Sequence, residues 1–166
     1  EMTAGTLTLL PGIYILDGIG MEVLGGDLFA FGVLLYIVDT TPADSPDSHI
    51  RLGGNGTIHI TEPDLDGCIA GTAECWTDMA AMELYDGVSI WQDCDDTHTS
   101  TIIGTSGMDI EGTLYFPCNH VDLGGTGGQF GTQLIADTVA VSGNGTIHIN
   151  YDGRHPAPGH EVFLVK

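Results

Sequence analysis

The chain has 166 residues, enough for one domain with a real core and too few to make two comfortable ones. Its formal charge is −20, with Arg51, Arg154 and Lys166 as the only fixed cations, so it repels phosphate backbones, anionic lipid and acidic polysaccharide and is not expected to bind nucleic acid. A hydrophobic content of 42% excludes a disordered acidic tail, and the charge is therefore read as the coat of a folded surface.

Thr6 to Asp17 (TLTLLPGIYILD) predicts the first strand, with Ile13 and Ile15 inward and Tyr14 outward after the Pro11-Gly12 turn. The start Glu1-Met2 lacks a basic region and an apolar signal core, as expected of a processed mature chain or of an excerpt from a longer one. The longest apolar run, Phe29 to Val38, is too short for a membrane span and is broken by Gly32, so it reads as a pair of strands.

From Met21 onward a short apolar-any-apolar segment running into glycine recurs: MEVLGG, HIRLGG, MDIEG, VDLGG and VAVSG. Each predicts a strand ending at a corner where glycine can take a backbone conformation that side chains resist. The heptapeptide Gly-Asn-Gly-Thr-Ile-His-Ile occurs at Gly54 to Ile60 and again at Gly143 to Ile149, with Ile58, Ile60, Ile147 and Ile149 as buried alternates. Ahead of the first copy, Asp39 to Ser48 is a Pro-, Asp- and Ser-rich surface loop, and between the copies Glu62 to Tyr85 is an insertion with a short helix over Thr77 to Leu84. Val88 and Ile90, then Leu114 and Phe116, are inward candidates of two further strands about one repeat apart. Tyr151 to Gly159 is a Pro/Gly connection, and His160 to Lys166 is a last strand that caps one end.

Strands that return after roughly 20 to 25 residues cannot bury their own apolar face and must lie on a neighbour that does. The expected fold is all-β: a single domain spanning 1–166, built as a single-stranded right-handed parallel β-helix with one loop/helix insertion around 62–85.

Cysteines 68, 75, 94 and 118 lack the paired spacing of zinc sites, so disulfides are expected, Cys68 with Cys75 across a short loop and Cys94 with Cys118 on adjacent strands. Such bridges place the protein outside a reducing cytosol.

Asp93, Asp95 and Asp96 in WQDCDDTH form the densest carboxylate cluster, a candidate calcium site or the acid and base of a glycoside hydrolase, against the plainer reading of a solvated turn. His59 and His148 occupy the same place in the two heptapeptides and are expected to face solvent, too far apart to share an ion unless the two corners coincide; His155 and His160 are also read as surface groups. Asn55 and Asn144 begin glycosylation sequons, although Asn-Gly there also serves the turn. Tyr14, Trp91 and Tyr115 are expected to form an outward aromatic ladder, packing under a loop or offering a platform to a sugar or subunit.

The succession PGIYI, GVLLYIV, GGNGTIHI with a TEP turn, DGVSIWQD, TIIGTSGMDIEGTLYFP, QLIADTVAVSGNGTIHINYD and VFLVK resembles the repetitive C-terminal region of TadG-like proteins of the tight-adherence (Tad/Flp) pilus-assembly group. The resemblance spans Leu7 to Lys166 and is most specific in WQD and GTSGMDIEGTLYFP. It implies a bacterial, exported, surface- or appendage-associated β-solenoid and supplies no catalytic site. The chain departs from that pattern in its cysteine-bearing insertion and its acidity.

The expected function is thus a structural extracellular protein, subunit or shaft of a cell-surface filament or adhesin, assembling with copies of itself or other surface proteins and not inserted in a membrane. No cofactor is required, though calcium between facing carboxylates would suit so acidic a chain. The alternatives are a glycan-hydrolysing enzyme using the Asp93 cluster and a monomeric binding module of a larger surface protein.

Overall fold

A computed structural model describes residues 1–40, 49–68, 75–131, 133–144 and 148–149. The expected last strand at 160–166, the connection at 151–159, Ile147 and most of the 39–48 loop lie outside the described residues. In chain order the elements are β1 (Thr6–Leu9), β2 (Gly12–Asp17), β3 (Met21–Val23), β4 (Asp27–Ala30), β5 (Val33–Val38), β6 (Ile50–Leu52) and β7 (Ile58–Ile60). There follow α1 (Met79–Leu84), β8 (Val88–Gln92), β9 (Ser100–Gly104), β10 (Met108–Ile110), β11 (Thr113–Gly125), β12 (Gln129–Phe130) and β13 (Gln133–Val141).

These strands lie in two sheets, and every named pairing is parallel. The smaller runs β1-β4-β7-β10-β12, and the larger runs β2-β5-β8-β11-β9-β6-β3 with β13 added on β11. The expectation of a single-stranded right-handed β-helix is corrected by this order. The larger sheet goes out along β2, β5 and β8, turns through β11 and returns along β9, β6 and β3, so that it nearly closes like a barrel. The cause is β11, which runs unbroken for 13 residues where two strands were expected, one with Leu114 and Phe116 inward and one at VDLGG, with a polar turn between them. Its first part pairs with β8 and its last part with β9, and against β13 its register shifts between Phe116 and His120.

Period-2 alternation decides which side chains enter the core. Leu28, Ala30, Ile58, Ile60, Met108, Ile110 and Phe130 of the smaller sheet pack with Leu35, Ile37, Leu52, Ile90, Ile102, Leu114, Phe116, Val121 and Leu123 of the larger. The five glycine-ended segments all contain strand, although VDL and VAV are the ends of the longer β11 and β13. β2 is inverted relative to expectation: Tyr14 and Leu16 pack on the core, while Ile13 and Ile15 are exposed. The reason is register. Tyr14 lies beside Leu35, and Leu16 beside Ile37, both fully buried.

β5 is apolar on both faces because the insertion covers its outer side. Leu34, Trp76 and Met82 form a second cluster joined by Tyr36, Leu65, Ala81, Tyr85, Val88 and Trp91, so Val88 serves this cluster while Ile90 serves the main core. Trp76 Nε1 donates to the Gly32 carbonyl at 2.6 Å and ties the insertion to the β4–β5 corner. Helix α1 starts two residues later than expected because Asp78 is its N-cap, accepting from the amides of Ala80 and Ala81. Both disulfides form as paired from the sequence, Cys68–Cys75 and Cys94–Cys118, with Cα separations of 5.3 and 5.1 Å. No described helix is long and apolar enough to cross a membrane.

Candidate functional site

The acidic cluster sits where β8 ends. Asp93 accepts from the Tyr36 hydroxyl at 2.6 Å and from the Asp95 amide at 3.1 Å. The Tyr36 hydrogen bond, more than any other contact, holds the Asp93 carboxyl below its usual range. Burial, reinforced by Asp93, pushes the Tyr36 hydroxyl up to about 12. Asp95 is exposed, whereas Asp96 is fully buried and takes both the His98 amide and His98 Nδ1, the latter at 2.7 Å, on one oxygen. Two of the three carboxylates, Asp93 and Asp96, are therefore held by different partners, and the three do not converge on one point.

The same corner is braced by a buried polar chain. Gln92 Nε2 donates to the His98 carbonyl, Ser100 Oγ donates to Gln92 Oε1, and the Ile50 amide donates to Ser100 Oγ. Asn119 Nδ2 donates to the Asp96 carbonyl beside the Cys94–Cys118 bridge. These bonds satisfy groups that would be costly to bury bare, and they fix the turn from β8 into β9.

Ligating atoms do converge on the outer face of the smaller sheet. His59 of β7, Asp109 of β10 and Glu111 just beyond it bring one ligand atom each to within 4.8 Å of the others, the one such group among the described residues. Register explains it: His59 lies opposite Asp109, while the Glu111 amide donates to the Ile60 carbonyl and continues the ladder. Alternation then puts Asp109 and Glu111 on the same face, with Ile110 buried between them. The row continues across the sheet through Gln129 to His148. Sequence reading put His59 outside but missed its acidic neighbours. The signal for them is D-x-E at a strand whose partner reads I-H-I.

On the larger sheet an outward row runs Ile15, Tyr36, Trp91, Tyr115, Ile135. Trp91 meets Tyr115 edge-on at 4.8 Å and Tyr36 at 5.9 Å. Tyr14 is not part of this ladder, because it faces the core and its hydroxyl donates to the Leu10 carbonyl. Asn55 and Asn144 are both exposed.

The most open apolar feature lies at one end of the molecule. β1 ends the smaller sheet, and β2 and β3 are the two ends of the larger sheet's path. The first 23 residues thus supply three terminal strands: β1 and β2 pair outward with no other named strand, while Met2 bridges Val23 on the outer edge of β3. Between them opens a cleft of about 320 Å³ lined mainly by apolar side chains, among them Met2, Leu7, Leu9, Tyr14, Leu16 and Met21. Leu10, Ile15 and Ile19 of the same segment stand more than half exposed outside the cleft, at 72%, 65% and 60%, with Ile15 on the opposite face of β2 from Tyr14 and Leu16. Isolated exposed apolar side chains are ordinary, but a core that opens onto three strand edges is not.

Comparison with known proteins finds no match: no family model fits the chain, and no curated protein or solved structure is similar to it. No match bears on the expected resemblance to TadG-like proteins.

Proposed function

We propose that the chain is a structural, extracellular module that associates end to end with copies of itself in a surface-attached assembly. The observation that carries this is the open end formed by β1, β2 and β3, where both sheets stop with apolar side chains still facing outward. Because every named pairing is parallel, the strands that extend this end must run in the same direction as those already present. A second copy offers that direction at its opposite side, where β13 lies on β11 with Val139 and Val141 exposed and His148 bridges β12. Contacts between unlike ends are heterologous, and where the rotation between copies does not close a ring they build lines of subunits.

Two disulfides support an oxidising location, and the TadG-like motifs point the same way. The charge of −20 opposes association, so screening or multivalent cations would favour it. Glycan hydrolysis has weaker support, because Asp96 is fully buried against His98 and Asp93 is held by Tyr36, which leaves Asp95 as the unengaged carboxylate of the cluster.

Sedimentation across a range of concentrations tests the proposal. Wild-type protein is expected to form concentration-dependent assemblies that Ile15→Lys and Leu10→Lys abolish, since charged side chains at strand edges block pairing. Leu84→Lys, at a position equally exposed on α1, is expected to leave assembly unchanged. A wild-type chain that stays monomeric at high concentration and moderate salt would instead be a lone binding module.

A further inference from the structure

We propose that His59, Asp109 and Glu111 form a site for a divalent transition metal of the zinc class. The site does not depend on the end-to-end assembly proposed above, because it lies on the outer face of a sheet and uses none of β1, β2 or β3.

Three features separate this group from ordinary surface acidity. Its donor set is mixed, one imidazole with two carboxylates, which suits zinc and its neighbours better than calcium or magnesium, ions that prefer oxygen alone. All three side chains are partly buried, and they stand on adjacent parallel strands whose backbone register fixes their spacing. The ligand atoms lie within 4.8 Å of one another, and His59 Nε2 is 3.8 Å from Asp109 Oδ2, already too long for a hydrogen bond. Zinc bonds of about 2.0–2.2 Å require ligand atoms roughly 3.3–3.6 Å apart in a tetrahedron, so small side-chain rotations about a fixed backbone close the set.

The surroundings hold the imidazole in place. The Phe31 ring meets His59 edge-on at 5.0 Å, and Ile58 and Ile60 on either side are buried, so the strand cannot rotate away. A cleft of about 180 Å³ lies beside Glu111, bordered by Phe31, Thr61, Glu62 and Asp64. The side chains of His59 and Asp109 are 34% and 46% exposed, which leaves the fourth position open to water or to a ligand from a partner. Three protein ligands and an open position are the arrangement from which a bound zinc can recruit a further group.

Titration calorimetry with zinc alone tests the site, in buffer containing millimolar calcium and magnesium to saturate diffuse acidic binding. One saturable zinc site per chain is expected, weakened at least about tenfold in His59→Gln and in Glu111→Gln. Asp95→Asn, which removes one negative charge elsewhere, is expected to bind zinc as wild type does. Cobalt(II) in place of zinc should give a visible absorption band that His59→Gln loses. Each variant is checked by circular dichroism, and if His59→Gln does not fold, Asp109→Asn takes its place. The proposal is overturned if calcium and magnesium displace the zinc, or if the folded His59 or Asp109 variant binds it unchanged.

Discussion

The pairing of Tyr36 with Asp93 joins residues 57 apart, and no local pattern announces it. It nevertheless sets how the fold responds to pH. The Tyr36 hydroxyl sits above its usual value of 10.0, at about 12, so the folded state keeps a proton that the unfolded chain releases first. The stabilisation is therefore complete below about pH 10 and is lost as pH climbs from there toward 12. Asp93 is shifted the other way, so its contribution holds above the usual carboxylate range and falls away on acidification. In denaturant melts across pH, Tyr36→Phe is expected to cost about 1.5 kcal/mol at neutral pH. It should also flatten the alkaline limb and begin acid unfolding at a higher pH. An alkaline limb identical to wild type would show that another group sets it. The glycines of the repeated heptapeptide are visible in the sequence, although the close approaches that require them come from the backbone of a neighbouring strand segment. Gly54 has φ +94°, and a Cβ there would strike the Leu24 carbonyl, while one at Gly56 would strike the Gly26 carbonyl.

At the scale of elements, alternation located nearly every strand, and the apolar run from Phe29 to Val38 resolved into β4 and β5 as expected. It failed on direction in β2, where isoleucines at 13 and 15 alternate with Tyr14 and Leu16 and either set is apolar enough to be buried. Only the register with β5 chooses between them. Cysteine spacing was more decisive, because adjacent parallel strands stand at a separation that suits a bridge. The Cys94–Cys118 bond spans a separation of 24 residues and the Cys68–Cys75 bond one of 7. Loop-closure entropy alone predicts that they contribute about 3.5 and about 2.5 kcal/mol respectively. Reduction with thiol, followed by thermal melting, should therefore lower the midpoint substantially. Cys94→Ala/Cys118→Ala should account for the larger part, and equal losses from the two bridges would argue against chain entropy as the main cause.

For the whole molecule, charge and apolar surface act against each other. A formal charge of −20 on 166 residues makes the compact state repel itself and its copies. Raising ionic strength from about 0.01 M to about 0.15 M shortens the screening length from roughly 30 Å to roughly 8 Å. The melting midpoint is expected to rise by a few degrees over that range, and assembly is expected to strengthen with it. Scanning calorimetry and sedimentation read the two effects separately. A midpoint that falls with added salt would mean that attractive ion pairs, such as those of His49 and Arg51 with Glu22, outweigh the repulsion.

Composition and periodicity by themselves determined that this is a folded, acidic, disulfide-bonded β protein with glycine at its corners. Each of those properties follows from residues close together in the chain. Tertiary structure alone decided that β11 runs on through its expected polar turn and joins two arms of one sheet, that Tyr14 turns inward, and that His59 stands beside Asp109 and Glu111. These are matters of register between strands up to 50 residues apart. A period of two residues gives the same pattern for either facing of an amphipathic strand, and only the neighbour across the ladder breaks the tie.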